Sequence, residues 1–190
     1  MKIIGITGKS GSGKSFFASL LAQKLNCTYV DVDKIGHKAT SDPEILKKLC
    51  KEFGNTILDE NGVLNRKKLG NIVFSDNSKL NFLNNLTWTY MKNELDFLVS
   101  NSSTYIILDY ALLPICDYWE KCDFKILVSA NISKRKEFVL KRDNITPEYF
   151  DKREASSVDY SSIKFDYIFE NDYTSETLNN AHDEIINIIS

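Results

Sequence analysis

Eight residues near the N-terminus, GKSGSGKS at 8–15, limit what this chain can fold into more than any other stretch. They fit the pattern G-x-x-x-x-G-K-[ST], and the apolar run KIIGIT (2–7) leads directly into them. Behind them, KSFFASLLAQKL (14–25) sets Phe17, Leu20, Leu21, Ala22 and Leu25 at helical spacing. Strand, glycine-rich loop and helix, in that order, are the context in which this pattern cradles phosphate. The glycines let the backbone curl until several N–H groups face one cavity, and the helix N-terminus adds the positive end of its dipole. Lys14 then reaches the terminal phosphates and Ser15 holds Mg2+. The stretch predicts a nucleoside triphosphate site built from Gly8, Gly11, Ser12, Gly13, Lys14, Ser15 and Phe16. Because Lys14 is expected to face the ligand, its removal should cost activity and little thermal stability.

The rest of the chain keeps alternating. TYVDVD (28–33), TYIILDYALL (104–113), FKILVSA (124–130) and FDYIFEND (165–172) read as further strands. Helical patterns fill 43–53, 65–74, 76–99, 132–142, 147–157 and 174–189, and DENGVL (59–64) reads as a turn. In 76–99, Leu80, Leu83, Leu86, Tyr90, Leu95 and Leu98 keep roughly a 3.6-residue period. Strands that are apolar throughout, with helices between them, predict an α/β fold: a five-stranded parallel sheet covered on both faces. The 190 residues suffice for one well-cored domain. Its core is expected from 1–33, 104–130 and 165–190. The stretch about 34–100 is too long for a simple crossover and predicts a helical subdomain. A basic segment at about 132–157 predicts a lid.

Composition narrows the function classes. A net charge of −2 gives no basic field for nucleic acid, and 43% hydrophobic with 26% charged residues is ordinary for a soluble globular protein. No run reaches the length of a membrane span, and Met1 leads straight into a strand rather than a signal peptide. Cys27, Cys50, Cys116 and Cys122 form no CxxC pair, so reduced, mostly buried thiols in a cytoplasmic protein are expected.

Several polar residues are candidates for chemistry. In VDVDKIGH (30–37), strand alternation puts Asp31 and Asp33 on one face. A carboxylate there can take a proton from an attacking hydroxyl or hold a metal's water shell; a polar strand end or helix cap is the alternative. His37 is a candidate for an acceptor phosphate or carbonyl, or a lone surface histidine. Asp109 ends YIILD, the layout of a Walker B strand whose carboxylate orders Mg2+ through water. Lys134, Arg135, Lys136, Lys141 and Arg142 cluster on one helical pattern. Arg142 is the best candidate to meet phosphoryl oxygens, since a guanidinium is a planar fork. The alternative is a solvated face interleaved with Glu137 and Asp143. FEND (169–172) is a candidate neighbour of adenine.

Taken in order, these features resemble the dephospho-CoA kinase family. Its TGxxGSGKS matches TGKSGSGKS (7–15), and its D-x-D-x-x-x-H matches DVDKIGH (31–37). Its FG…G-x-L-x-R-x-x-L…VF matches FGNTILDENGVLNRKKLGNIVF (53–74). Its P-L-L segment resembles YALLP (110–114), and its K/R-R-D and R-x-x-x-Q elements resemble KRDNITPEYFDKREASS (141–157). Its closing A-D-x-x-I-x-N-x-G resembles KFDYIFENDY (164–173). Trp88-Thr89 stand where the family has His-Pro, Ala111 for proline, Ile115 for glutamate, Phe138 for arginine and Ser157 for glutamine. The resemblance implies a P-loop kinase whose helical subdomain binds the acceptor. It implies ATP, Mg2+ and dephospho-CoA as its small-molecule partners, no nucleic acid or membrane partner, and a monomer or weak homo-oligomer. It implies Lys14, Asp33 and Arg142 as catalytic, with Asp33, His37 and Arg66 at the acceptor and Ser15 and Asp109 at the metal. Another small-metabolite or nucleotide kinase remains an alternative. So does a slowly hydrolysing nucleotide switch, although the chain has no clear N-K-x-D motif.

Overall fold

Five short strands lie side by side in the computed structural model, which describes residues 2–189. Met1 and Ser190, the expected outer bounds of the core, lie outside the described residues. The strands are β1 (Lys2–Thr7), β2 (Thr28–Asp31), β3 (Tyr105–Asp109), β4 (Phe124–Ser129) and β5 (Tyr167–Glu170). The helices are α1 (Lys14–Leu25), α2 (Val32–Ala39), α3 (Pro43–Phe53), α4 (Arg66–Val73), α5 (Asn77–Ser100), α6 (Ile132–Asp143), α7 (Pro147–Ala155) and α8 (Ser175–Ile189). The chain divides into two compact units, one running to Asp31 and resuming at Val99, the other Val32–Leu98.

The first unit holds the sheet. Its order is β2-β3-β1-β4-β5, with every neighbouring pair parallel. β1 is central because it is the most apolar: all of Ile3–Thr7 is buried. A parallel strand buried on both faces needs this near-continuous run. Ile4 and Ile6 pack with Ile107, Ile126 and Val128, under Phe17, Ala18 and Leu21 of α1 and Ala181, Ile185 and Ile189 of α8. β5, at the edge, alternates instead, and Ile168 stays exposed.

Three sequence expectations change. β2 stops at Asp31, and Val32 opens α2, whose buried residues are Val32, Ile35 and Ala39. Asp33 therefore lies in the first turn of a helix and does not share a strand face with Asp31. β3 ends at Asp109 rather than 113, and a 3-10 turn at Leu113–Ile115 follows with Pro114 in it. The chain turns directly after the strand, with Leu113 N donating to Tyr110 O at 3.3 Å, and this takes 111–113 out of the ladder. The four cysteines are free as expected, but only Cys122 is buried; the others are half-buried. Burial pushes the Cys116 and Cys122 thiols up to about 12.

His182 of α8 sits fully buried against α1. Its Nε2–H donates to Phe17 O at 3.1 Å, the two rings lie 4.5 Å apart, and Nδ1 has no hydrogen-bond partner. Burial, helped by Lys24, pushes its pKa down from 6.5 to about 4. The unfolded chain takes up this proton near pH 6.5, and the folded chain takes it up only near pH 4. Stability present above pH 6.5 is therefore lost as the pH falls towards 4. The loss amounts to about 1.4 kcal/mol per pH unit, on the order of 3 kcal/mol in all. His182→Gln keeps an amide donor for Phe17 O but cannot titrate. Its urea midpoint should fall less than the parent's between pH 7 and pH 4. Parallel pH profiles for the two proteins would contradict this assignment.

The second unit is helical. Asp42 caps α3 by accepting from Glu44 N and Ile45 N, with Pro43 in the first turn, and Asn65 caps α4 by accepting from Lys68 N. These are strong N-terminal signals. Asp59 Oδ1 accepts from Asn61 N and Val63 N, closing the DENGVL turn, across which Leu58 and Leu64 pair. The fully buried residues of α5 are Thr87, Met91 and Leu95, so of the apolar period only Leu95 is completely covered. Thr87 Oγ1 donates back to Leu83 O at 3.0 Å, which satisfies the hydroxyl in that position. No helix among the described residues is long and apolar enough to cross a membrane.

Candidate active site

The loop 8–15 joins central β1 to α1 and packs into its own unit from several sides. Gly11 (φ 82°) and Gly13 (φ 86°) are left-handed. A Cβ on Gly11 would lie 2.8 Å from Arg135 O, and one on Gly13 would run into the Asn171 amide. Both positions thus require glycine sterically as well as conformationally. Gly13 also caps α1, and it brings no side chain to the helix's first N–H groups. By contrast α3, α4, α6 and α7 are capped by Asp42, Asn65, Asn131 and Thr146. A helix start without a capping side chain keeps its N–H groups and dipole for an anionic ligand.

Beneath the loop lies a buried charge pair. Lys14, 8% exposed, donates from Nζ to Oδ1 of Asp109, 1% exposed. Tyr29 Oη donates to the other oxygen of Asp109 at 2.9 Å. Burial, and then the Asp109 carboxylate, push the Tyr29 phenol upward, so it stays protonated and donating. Asp31 is the register partner of Asp109 on the neighbouring strand. The sequence reading of Lys14 as a purely ligand-facing group is incomplete: the side chain is also the counter-charge of a buried carboxylate.

Ser15, exposed at the start of α1, and the carboxylates of Asp109 and Asp31 are all hard oxygen donors. Such a set fits Mg2+, which keeps several of its waters and takes few protein ligands. Both Asp109 oxygens already accept hydrogen bonds, so this carboxylate would act through the ion's waters. No group of three or more His, Cys, Asp or Glu among the described residues forms a separate metal nest.

Basic residues of α6 and α7 surround the loop. Arg135, 5% exposed, grips Glu154 with two bonds of 3.0 and 2.8 Å and donates to Ser10 O at 3.2 Å. Lys9 Nζ adds a third bond to Glu154 at 3.0 Å. The Arg135 hydrogen bonds, with Lys9, hold the Glu154 carboxyl below the usual range despite burial. Arg142 is more exposed; it donates to both oxygens of Asp143 at 2.6 and 3.0 Å. Arg153 donates to the same carboxylate at 3.0 Å. Hydrogen bonds from Arg142 and Arg153 lower the Asp143 pKa. Both guanidinium groups also come within 3.5 Å of Ser10 Oγ. Arg142 therefore stands beside the phosphate loop, with Arg153 as a second cation there. Arg135 and Lys136 of the basic stripe are thus laced to Glu154 and Asp151 of α7, while Arg142 pairs with Asp143 of its own helix.

In the second unit, Asp33 and His37 are exposed four residues apart on α2, so they share a helix face. Arg66, also exposed, donates to His37 O at 3.1 Å. The fold thus brings two of the expected acceptor residues, His37 and Arg66, together. Phe16 is 64% exposed.

The family model for dephospho-CoA kinase matches residues 2–177. The chain belongs to the dephospho-CoA kinase family. The dephospho-CoA kinase of Aquifex aeolicus is 34% identical over 176 residues, covering 90% of this chain and 89% of that one. The crystal structure of TT1252 from Thermus thermophilus superposes with a TM-score of 0.80 at 25% identity, covering 100% of this chain and 98% of that one. A dephospho-CoA kinase from Campylobacter jejuni shares the fold, with a TM-score of 0.57 at 22% identity over 100% of this chain and 97% of that one. The fold is that of the P-loop kinases, and the chain is a phosphotransferase.

Against the dephospho-CoA kinase pattern, some site residues escaped the sequence reading. Arg135 was one of five basic residues in a row of candidates, and nothing local marked it as the buried one. Its partner Glu154 is 19 residues away on another helix. Asn171, inside FEND, does more than fill a strand end: its Nδ2 donates to Ser12 O at 2.8 Å, which brings that segment to the phosphate loop. Of the family departures, Ala111 O accepts from Thr7 Oγ1 and Tyr160 Oη at 3.1 and 2.7 Å. Ser157 turns its hydroxyl onto Glu154 O, and Ile115 is exposed. Phe138 is half exposed, with its ring 4.8 Å from that of Tyr173.

Proposed function

We propose that this kinase transfers the γ-phosphoryl group of ATP to the ribose 3′-hydroxyl of dephospho-CoA, giving coenzyme A and ADP. One observation carries the reading: the family match runs through residues 2–177, spanning the phosphate loop and the acceptor residues Asp33, His37 and Arg66 alike. Phosphoryl transfer asks the protein for positioning and charge more than for covalent chemistry. The N–H groups of the loop and of the start of α1 receive the phosphates. Lys14 leans from Asp109 towards the β- and γ-phosphates. Arg142 faces the transferring group, supported by Asp143. Ser15 and Asp109 hold Mg2+, which neutralises phosphate charge when bound. Asp33 orients the acceptor hydroxyl and takes its proton. His37 and Arg66 meet the acceptor's anionic groups. The enzyme acts in the cytoplasm, as a monomer or weak homo-oligomer, without nucleic acid or membrane.

The reading is tested by initial rates of ADP release over a panel of acceptors: dephospho-CoA, nucleosides, nucleoside monophosphates and shikimate-like alcohols. Dephospho-CoA should raise the rate far above the ATP-only background and above every other acceptor. A preference for another alcohol would keep the kinase and change its substrate. No acceptor dependence at all would favour a nucleotide switch.

A further inference from the structure

We propose that Tyr173 is a positioning residue for the phosphate loop, acting through its hydroxyl on the Gly11 carbonyl. The inference rests on the reading of residues 8–15 as a triphosphate site.

Tyr173 has φ 69°, a conformation that a bulky L side chain rarely adopts. Such outliers persist where the surroundings over-determine them, and several contacts do so here. Its backbone N–H donates to Asn171 Oδ1 at 2.8 Å. Its ring lies against Phe138 at 4.8 Å, with Lys134 Nζ 5.7 Å from the ring centre. Its Oη donates to Gly11 O at 2.9 Å. The half-buried phenol is raised in pKa by burial, so the hydroxyl keeps its proton at neutral pH.

The Gly11 bond is one of a set. Three consecutive carbonyls of the loop each accept from a side chain outside it: Ser10 O from Arg135, Gly11 O from Tyr173, Ser12 O from Asn171. In a trans peptide the C=O of one residue and the N–H of the next point in opposite directions. Drawing the carbonyls outward therefore fixes the following N–H groups, of Gly11, Ser12 and Gly13, towards the inside of the loop. The Ser12 N–H closes the turn onto Lys9 O at 3.1 Å. Tyr173 holds the middle peptide of this series, and Phe138 holds the Tyr173 ring. A preorganised loop binds phosphate without first having to be ordered.

The test uses calorimetric titration of the whole protein with MgATP and with magnesium tripolyphosphate, which has no base or sugar. Tyr173→Phe keeps the ring and removes the hydroxyl. It should weaken both ligands by the same factor, about 3- to 10-fold, the worth of one hydrogen bond. The KM for ATP should rise in parallel. Tyr173→Gly relieves the backbone, so its thermal midpoint should hold or rise while both ligands weaken. A merely structural tyrosine would shift the midpoint of Tyr173→Phe and leave both affinities unchanged, which overturns the proposal. Weakening of ATP alone also overturns it, since the side chain would then be touching the base or the sugar. If the parent protein bound neither ligand, the triphosphate reading itself would fall, and Tyr173 with it.

Discussion

Lys14→Met should abolish nearly all turnover and also lower stability. The ammonium serves two partners in this account: the phosphates of ATP and the buried carboxylate of Asp109. Removing a single preorganised electrostatic group from a transition state typically costs roughly 10²–10³ in kcat. The stability loss has a separate origin. Breaking a buried pair leaves one charge without its partner, which costs about 3–5 kcal/mol where nothing else compensates. Here Tyr29 still donates to Asp109, so the lower end, about 3 kcal/mol, is expected. Lys14→Met with Asp109→Asn removes the stranded charge. The double variant should recover much of the lost stability in urea titrations and none of the activity. If the single variant were as stable as its parent, the pair would be structurally neutral. If it turned over normally, the phosphate-loop assignment would be wrong.

Asp33→Asn should bind both substrates and barely turn over. A ribose hydroxyl is a weak nucleophile at neutral pH, and a carboxylate positioned to take its proton contributes about 10²–10⁴ in rate. Asparagine keeps the shape and loses the basicity, so the loss should appear in kcat with little change in either KM. Asp33 is an exposed first-turn residue of α2, so the substitution should leave the thermal midpoint nearly unchanged. A kcat within a few-fold of the parent would leave Asp33 a structural place at the start of α2. A raised KM for the acceptor alone would make it a binding group instead of a base.

What the sequence disclosed was local, and what it hid was long-range. The β1–loop–α1 unit could be read because strand period, glycine pattern and helical period follow one another without overlap. VDVDKIGH was misread because two periods overlap in it. Asp31 and Asp33 alternate with Val30 and Val32 as a strand would, while Val32, Ile35 and Ala39 lie one and two helical turns apart. Burial of those three residues settles the contest in favour of α2. The apolar YALL after Asp109 lengthens the expected β3, but the chain turns within it, where Leu113 N donates to Tyr110 O. Lys14 was recognised for its loop, not for Asp109, which lies 95 residues away and meets it only once β1 and β3 pair. Glu154, and the partners of Arg135, Arg153 and Tyr173, escape the sequence for the same reason. Each owes its role to a partner on another element, and the positive φ of Tyr173 leaves no mark in the sequence. Arg142 is expected at the phosphates; its Nη2 lies 3.5 Å from Ser10 Oγ in the 8–15 loop.

The destination of one phosphoryl group decides what this enzyme does. The protein should be incubated with MgATP and dephospho-CoA and the products examined by mass spectrometry and 31P NMR. ADP and coenzyme A should form in equal amounts, with the new phosphate on the ribose 3′-oxygen. ADP formed without a phosphorylated acceptor, or phosphate carried at any other oxygen of dephospho-CoA, would contradict it.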